Sequence, residues 1–259
     1  MLDSNIKLVD FHCHFDLLPG FGEAGVELPC DIAIVAVTTT PLAWPRNLDV
    51  SKKKPNVIPA LGIHPQLVPS RAKDFDEFHR YLNQTAIIGE IGLDGSKNFA
   101  DSMLEQERIF DAVLAMCSSD TKRMLSIHSL KAESKVINHL EHHSNGSKFI
   151  PVMHWFTGSL SQAGKLCDMG AKFSFNHKML KTKRGEKLLE YLPRESVLIE
   201  TDLPFTHKSY SPKLHSELLE NSLHSIAGIW NVDITESSST VLKNSRNLLA
   251  HFSLPSSIS

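Results

Sequence analysis

The sequence predicts an α/β protein whose parallel strands close into a (β/α)8 barrel, the TIM barrel. Eight short β-branched or apolar runs alternate with stretches of helical hydrophobic periodicity, the pattern of parallel strands joined by helical crossovers. The length of 259 residues suits eight such units in a single domain, 1–259. A doubly wound open sheet is the alternative, and the lack of a Gly-rich phosphate motif after the first strand counts against it.

The elements can be placed along the chain from their apolar patterns. Runs rich in β-branched and large apolar residues predict strands at 7–12, 31–39, 56–64, 86–93, 124–129, 149–155, 171–176 and 196–202. Apolar residues at three- and four-residue steps predict helices over 104–117, 160–169, 213–230 and 235–252, the last with Thr235 as N-cap. The Ser-rich tail, 253–259, is expected to fray.

The composition is that of a soluble globular protein, with 41% hydrophobic residues, 22% charged residues and a net charge of −2. This charge gives no overall attraction to nucleic acid or anionic lipid, so a polyanion would need a local patch or a metal. The four cysteines form no C-x-x-C pair, and the sequence has neither a secretory leader pattern nor a membrane-spanning run. These features predict a cytoplasmic enzyme or binding protein with free thiols and no membrane partner.

Two histidines, His12 and His14, stand where the first predicted strand stops, in "LVDFHCHFDLL". Because residues two apart in a strand point to the same side, both imidazoles can aim at one point beyond the strand end. Cys13 should then face the other way, and it is not a ligand candidate. For this stretch alone, two ordinary polar residues at a strand border are the alternative.

Five further predicted strands end in the same kinds of residue. The C-terminal strand ends of a barrel lie on one face and supply its catalytic groups. Imidazole nitrogens and carboxylate oxygens are ligands for Zn²⁺, Mn²⁺ or Mg²⁺. The sequence therefore predicts a metal site among His12, His14, His64, Glu90, Asp94, His128, His154, Glu200 and Asp202. Histidines on predicted helices or loops are treated as structural or surface residues: His79, His139, His142, His143, His215, His224 and His251.

The predicted donor set suits two divalent metal ions as cofactors. Glu90 lies centrally and can bridge two ions through its two carboxylate oxygens. Asp202 can bind the first ion and also hold the attacking water, while His128 and His154 complete the second site. Two ions about 3.5–4 Å apart clamp the attacking and leaving oxygens of an in-line phosphoryl displacement.

Six motifs together resemble those of TatD-like metal-dependent deoxyribonucleases of the amidohydrolase superfamily. In chain order they are "DFHCHFD", "GIHP", "GEIGLD", "SIHS", "HWFTGS" and "ETDLPF", across residues 9–205. The resemblance implies a TIM barrel and metal-dependent DNA hydrolysis, often exonucleolytic, or in some members removal of D-amino acids from tRNA. It implies first-ion ligands His12, His14, Glu90 and Asp202, and second-ion ligands Glu90, His128 and His154. His64 would contact the scissile phosphate, and Glu200 would support the ligands from behind.

Three stretches depart from that family pattern. Asp94 is followed by "GSKNF" rather than by an aromatic and a basic residue. Leu130 stands after "HS" where an arginine is usual, which removes a bidentate phosphate contact that Lys131 replaces only as a point charge. The later "RNEP"-like motif is also absent after Phe205.

A subgroup resemblance accounts for several of these departures. The stretches "VAVTTTPLAW", "ALGIHPQLV", "GEIGLDG" and "LSIHS" are similar to QatD, the TatD-like subunit of Qat anti-phage defence systems. That resemblance implies protein partners: an ATPase, a second uncharacterised subunit and a QueC-like nucleotide-modifying protein.

Basic and aromatic residues outside the predicted ligand set have two interpretations each. The stretch 178–187 follows the seventh strand on the active face, and it is either a phosphate-steering patch or a solvated helix start. The lysines of 51–55 precede a strand and should lie on the opposite face. Trp44 and Trp155 follow strand ends, and each could either pack against barrel loops or stack on an unpaired base. For Trp44, packing is the favoured role.

Three functions remain open at this level. The first is a metal-dependent phosphodiesterase acting on single-stranded DNA or DNA ends. The second is a small-molecule amide, ester or lactone hydrolase, disfavoured because Glu90 stands where cyclic-amide hydrolases use a modified lysine. The third is an assembly subunit with weak hydrolysis, suggested by Leu130 and the altered loop 95–98.

Overall fold

The computed structural model describes residues 2–21, 26–118, 121–144, 146 and 148–252. The tail that is expected to fray, 253–259, lies outside these residues. Eight strands are present at the eight predicted places, with ends that differ from the prediction by a few residues. They are β1 (Leu8–Cys13), β2 (Ile32–Val37), β3 (Val57–Ala60), β4 (Ile87–Gly92), β5 (Arg123–His128), β6 (Phe149–His154), β7 (Lys172–Phe175) and β8 (Val197–Ile199).

The strands form a closed parallel barrel. Strands β1, β2 and β3 form one hydrogen-bonded sheet, and strands β4 through β8 form another in chain order. All neighbouring strands are parallel. A parallel bridge between Leu61 and Ile88 joins β3 to β4. The barrel closes just beyond β8, where Asp202 N donates to His12 O at 2.8 Å and His14 N donates to Leu203 O at 2.8 Å. The predicted (β/α)8 fold class is therefore confirmed.

Helices connect the strands and cover the outside of the barrel. Those in the described part of the chain are α1 (Trp44–Lys53), α2 (Val68–Arg71), α3 (Phe75–Tyr81), α4 (Met103–Cys117), α5 (Glu133–Ser144), α6 (Leu160–Asp168), α7 (Lys183–Tyr191), α8 (Pro212–Trp230) and α9 (Ile234–Leu249). The sequence places the N-cap of the last helix at Thr235, which is two residues too late. Asp233 caps α9 instead, since its carboxylate accepts from Glu236 N at 2.8 Å.

Alternate residues along the strands divide the apolar core into two layers, as the two-residue period of a strand requires. One layer fills the barrel interior toward its N-terminal end, and residues after α9 and at its end close it from below. The other lies between the barrel and the surrounding helices. In β2, the interior layer takes Ala33, Val35 and Val37, and the outer layer takes Ile32, Ile34 and Ala36. The C-terminal end of the barrel is left to polar residues.

Two further sequence expectations concern cysteines and membranes. Each of the four cysteines, all in the described part of the chain, carries a free thiol. Cys13 packs in the outer apolar layer, away from the barrel interior, as its strand position predicts. Among the described residues, the helices are all too short or too polar to cross a bilayer.

Candidate metal centre

A cavity of about 400 Å³ opens at the C-terminal end of the barrel. Six of the seven residues with a predicted ligand or phosphate-contacting role line it, and the seventh, His12, is fully buried beside them. The lining residues are His14, His64, Gln66, Glu90, His128, Ser129, Leu130, His154, Trp155, Thr157, Asp202 and Phe205.

The imidazoles of His12 and His14 meet inside the barrel, as their two-residue spacing predicts. Their Nε2 atoms lie 3.2 Å apart, and the other ring nitrogen of His12 lies 2.8 Å from Ser126 Oγ. The pairing of β1 with β2 shifts between Asp10 and Cys13, so that the strand bulges where the two histidines begin. Burial, with the nearby His154, lowers the pKa of His12 well below its usual value.

Glu90 lies at the centre of the cluster. Its Oε2 is 3.2 Å from His12 Nε2 and 3.1 Å from His14 Nε2. Its Oε1 is 3.1 Å from His64 Nε2 and 2.8 Å from His128 Nδ1. Burial alone would raise the pKa of Glu90, but His64 and His12 outweigh it and hold the pKa well below the usual value. One ionised carboxylate thus faces four imidazoles.

Gly92, two residues after Glu90, occupies a position at the end of β4 where only glycine fits. Its φ is +133°, a conformation that residues with a Cβ rarely adopt. A Cβ at this position would also collide with the carbonyl of His128 on the neighbouring strand. The close approach of β4 to β5 therefore requires glycine here, and it brings Glu90 and His128 together.

The described residues contain three groups whose ligand atoms converge closely enough to hold a metal ion. One group is His12, His14 and Glu90, which matches most of the predicted first-ion set. The second is His64, Glu90 and His128, which shares Glu90 and His128 with the predicted second-ion set and has His64 as its third member. The third, His12 with His154 and Glu200, lies deeper in the barrel.

His154 is oriented by Glu200, a fully buried carboxylate. His154 Nδ1 lies 2.8 Å from Glu200 Oε2, and its ring stacks on that of His12 with centroids 3.6 Å apart. Ser174 Oγ and Asn176 Nδ2 both donate to Glu200. Burial lowers the pKa of His154, but Glu200 more than offsets it and raises the pKa to about 10. Sequence reasoning missed Ser174 and Asn176, although their two-residue spacing on β7 is a usable signal.

Asp202 faces the cavity from the loop after β8. Its Oδ1 is 3.6 Å from His14 Nε2, and its backbone has the left-handed φ of 52°. Such a backbone conformation in a residue other than glycine is uncommon and occurs often at functional sites. Burial raises the pKa of Asp202 to about 7, against the opposing effects of His154 and His14.

Asp94 orients His128 from the side opposite Glu90. Its Oδ2 lies 3.0 Å from His128 Nε2 and accepts from Gln66 Nε2 at 2.7 Å, and its Oδ1 accepts from Ser96 N at 2.8 Å. Burial lowers the pKa of His128, but the bonds to Asp94 and Glu90 raise it to about 9. Both ring nitrogens of His128 therefore face carboxylates.

A second buried network lies just outside the barrel wall and centres on Asp10. Its Oδ1 accepts from the backbone N–H groups of His12 at 3.1 Å and Thr201 at 2.9 Å. Its Oδ2 accepts from the Thr201 hydroxyl and lies 2.8 Å from Nε2 of His215, a fully buried residue of α8. Asp10 thus ties the ends of β1 and β8 together beside the metal centre. Sequence reasoning assigned no role to His215.

The aromatic residues near strand ends differ in their surroundings. Trp44 is fully buried and donates from Nε1 to Gln84 Oε1 at 3.0 Å, which agrees with the packing interpretation. Trp155 lines the cavity, with its ring edge-on to His154 at a centroid distance of 6.3 Å. Phe205 also lines it and is 60% exposed, and Leu130 is 37% exposed beside them. The cavity mouth is therefore partly apolar.

A closed parallel barrel with imidazoles and carboxylates converging at its C-terminal end defines a protein of the metal-dependent hydrolase class. Residues 9–250 match the family described as TatD related DNase, and the chain belongs to this family. This match confirms the family that the six sequence motifs indicate.

Curated relatives agree with this assignment, and solved structures share the fold. An uncharacterized metal-dependent hydrolase of Buchnera aphidicola is 29% identical over 213 residues, which cover 76% of this chain and 78% of that protein. Deoxyribonuclease TATDN3 of Homo sapiens is 29% identical over 229 residues, covering 79% and 80%. The structure of YjjV, a TatD homolog from Escherichia coli, superposes with a TM-score of 0.82 at 22% identity, covering 95% of this chain and 98% of that one. A TatD family hydrolase from Entamoeba histolytica gives 0.75 at 16% identity, covering 94% and 98%.

Proposed function

We propose that this protein is a deoxyribonuclease that hydrolyses phosphodiester bonds with two divalent metal ions, trimming single-stranded DNA or DNA ends in an exonuclease-like, 3′ to 5′ manner. The observation that carries the proposal is the convergence of four imidazoles on Glu90, each with a ring nitrogen within 3.2 Å of a carboxylate oxygen. Membership of the TatD related DNase family and the similarity to deoxyribonuclease TATDN3 support the choice of DNA.

The side chains present fit divalent ions. The Nε2 atoms of His12 and His14 lie 3.2 Å apart, both beside Glu90 Oε2, so that three donor atoms face one point. Nitrogen and carboxylate donors of this kind suit Zn²⁺, Mn²⁺ and Mg²⁺. The proposed first-ion ligands are His12, His14, Glu90 and Asp202, and the proposed second-ion ligands are Glu90, His128 and His154.

Two side chains of the protein account for the remaining catalytic roles. Asp202 is placed to hold the attacking water and to take its proton at a carboxylate oxygen, since it lines the cavity with Oδ1 3.6 Å from His14 Nε2. His64 presents Nε2 to the cavity, because its Nδ1 accepts from Gln66 N at 3.1 Å, and we assign it to the scissile phosphate. Bound divalent ions supply Lewis-acid stabilisation of the phosphoryl oxygens.

A metal-titrated nuclease assay tests this function. The purified chain, stripped of metal and then given Mn²⁺, Mg²⁺ or Zn²⁺, should release nucleotides from end-labelled single-stranded DNA. Glu90→Gln and His154→Ala should abolish the release, while His224→Ala, an exposed helical histidine, serves as the matched control. Wild-type rates in either of the first two variants would refute the assigned site.

A second candidate function is favoured by one feature of the cavity. Its described lining residues include no Lys or Arg, and Leu130, Trp155 and Phe205 make part of the mouth apolar. This lining also suits a small ester, lactone or amide of low charge. Turnover of a cyclic amide or lactone by the metal-loaded protein, with none of phosphodiesters, would favour this alternative over the nuclease.

We further propose that the protein is a cytoplasmic subunit of an anti-phage defence system and works with an ATPase and a QueC-like protein. The similarity of 35–44, 60–68, 89–95 and 125–129 to QatD supports this assignment. Leu130 in place of the usual arginine is compatible with a subunit that hydrolyses weakly on its own. Co-purification with the products of neighbouring genes tests the partnership, and full nuclease activity of the isolated chain would argue against dependence on it.

A further inference from the structure

The cavity has no lysine or arginine among its described lining residues, although the proposed substrate is a polyanion. A strand longer than a dinucleotide carries phosphates that extend past the cavity mouth. Neutralising those phosphates normally requires lysine or arginine along the path of the strand. The position of the cations around the mouth therefore indicates where such a strand would run.

Cations are concentrated in two neighbouring segments on the active face. The segments 177–187 and 205–213, which follow β7 and β8, contain seven Lys or Arg residues and one carboxylate, in a chain whose net charge is −2. We call these two segments the basic rim. Its cations are Lys178, Lys181, Lys183, Arg184, Lys187, Lys208 and Lys213.

The two segments lie together beside the metal centre. The first begins after Asn176, whose side chain donates to Glu200 at 3.1 Å, so its start is fixed to the buried carboxylate behind His154. Lys178, Lys181 and His207 are near enough to His177 to lower its pKa, after burial as the main cause. The turn at Met179–Lys181 of the first segment also contacts α8, whose first turn contains Lys213 of the second segment. The two segments are therefore neighbours on the rim.

The basic rim is also continuous with the cavity. Phe205 lines the cavity and is 60% exposed, and it lies between Asp202 in the site and His207 on the rim. Lys178, Lys181 and Lys208 are exposed, so their ammonium groups are available to a ligand. An exposed aromatic face leading to exposed cations is the arrangement that single-stranded nucleic acid uses.

Stability of α7 does not explain the cations near its start. Lys183 and Arg184 stand in its first turn, where positive charge opposes the helix dipole. The helix is already capped, since Thr182 Oγ1 accepts from Gly185 N at 3.0 Å. Glu186 also stands in this turn, and Arg184 Nε donates to Gly158 O at 3.3 Å. The remaining excess of positive charge in the segment suits an anionic partner.

We infer that the basic rim is a docking track for the phosphate backbone of a single-stranded polynucleotide whose end occupies the cavity. The inference rests on the proposed nuclease function and adds the direction in which the strand leaves the site. The strand passes Phe205 and crosses the loops after β8 and β7, while the opposite side of the mouth makes few charge contacts with it.

A charge-reversal pair tests the track. The double variant Lys178→Glu/Lys181→Glu is compared with Lys52→Glu/Lys53→Glu, which makes the same charge change on exposed lysines at the end of α1. That helix end precedes β3 and therefore lies at the opposite end of the barrel. Binding of a fluorescent 20-nucleotide single strand is measured in EDTA at several salt concentrations.

The rim variant should bind the strand at least about tenfold more weakly, with a salt slope smaller by about 0.7 for each phosphate that the variant no longer neutralises. The Lys52/Lys53 variant should keep the wild-type slope. Equal weakening in both variants, or in neither, would overturn the inference. Because this assay needs no catalysis, it decides the track even if the nuclease assay fails.

Cleavage provides the second measurement. In the rim variant, the ratio of kcat/KM for the 20-nucleotide strand to kcat/KM for a dinucleotide should fall about tenfold, since only the longer substrate reaches the rim. An unchanged ratio would contradict the track. Failure of the wild-type protein to cleave either substrate would refute the nuclease function instead, and the binding data would still stand.

Discussion

The two halves of the metal centre are held in place by different kinds of contact. The β1–β8 half comprises His12, His14 and Asp202, and the β3–β5 half comprises His64 and His128. Glu90 lies between the halves and contacts both, through Oε2 and Oε1 respectively. The two halves should therefore respond differently to loss of a supporting residue.

In the β1–β8 half, support comes through the backbone. Asp202 N donates to His12 O at 2.8 Å, and His14 N donates to Leu203 O at 2.8 Å, so the loops that carry these residues close the barrel. Asp10 adds hydrogen bonds to the backbone N–H groups of His12 and Thr201. The geometry of this half is thus part of the barrel closure itself.

In the β3–β5 half, support comes mainly from side chains. Asp94 contacts His128 and Gln66, and Gln66 N in turn donates to the ring of His64. Both histidines are more exposed than His12 and His14, with side chains 12% and 13% accessible. This half therefore has more freedom to adjust when ligands or substrate bind.

Glu90→Gln should have the largest effect, because it removes the carboxylate that both halves share. Loss of a group that merely orients a ligand typically costs 10- to 100-fold in metal affinity or activity, so loss of the shared ligand should cost more than about 100-fold. Metal content by elemental analysis and nuclease rate should fall together while circular dichroism is unchanged. Wild-type metal content in this variant would show that the two halves do not depend on Glu90.

Asp10→Asn should damage the β1–β8 half next most severely. The asparagine amide would present N–H groups where the Thr201 hydroxyl and His215 now donate, so buried donors would face each other. We expect about 1–3 kcal/mol lower stability and about 100-fold weaker metal binding, measured by urea unfolding and chelator competition.

Asn244→Ala is the matched control for Asp10→Asn. Asn244 donates to Val197 O at 2.9 Å and Arg194 O at 2.7 Å, so it ties α9 to the start of β8, away from the metal centre. Its loss should lower stability with little change in metal affinity. Equal loss of metal affinity in the two variants would mean that Asp10 acts only through global stability.

Asp94→Asn should have a smaller effect, confined to the β3–β5 half. The amide oxygen of asparagine can still accept from His128 Nε2, so the ring keeps its orientation, although the new NH2 group then faces Ser96 N, which donates to the carboxylate in the wild type. About tenfold weaker metal binding is expected in the same chelator competition. A loss as large as that of Asp10→Asn would erase the proposed difference between the halves.

Much of the barrel and the placement of the site residues follow from sequence pattern. The strands could be located because their apolar runs are short and separated by helical periodicity, and the site residues could be grouped because parallel strands share one C-terminal face. The ligand roles of these residues remain predictions, and the position of His64 beside Glu90 illustrates why. Which histidine joins Glu90 in a set of converging ligand atoms depends on loop positions that differ by only a few ångströms.

The supporting network shows where sequence reasoning stops. Asp10 has the same spacing from His12 as His12 has from His14, so a regular strand would send it into the barrel. The bulge between Asp10 and Cys13 turns it outward to His215, which is 205 positions away in the chain. Neither the bulge nor a contact between residues so far apart in the chain can be predicted from the local sequence pattern.

The stability of the metal-free protein should fall between pH 7 and 9, and this is the smallest of the expected effects. The folded-state pKa values of His128 and His154, about 9 and 10, lie above the usual 6.5 of an unfolded histidine. The folded chain therefore holds protons that the unfolded chain has released, so stability falls as pH rises through this window. Histidines with lowered pKa values, such as His12, affect stability only below about pH 6.5.

Bound metal should remove or reverse this trend, because ions displace the same protons and bind more tightly as pH rises. Thermal melts at pH 7, 8 and 9 in EDTA should show a falling Tm, and melts with a divalent ion should not. His154→Gln should flatten the slope in EDTA, whereas His224→Gln should leave it unchanged. A Tm that rises with pH in EDTA would contradict the charge state assigned to the metal-free centre.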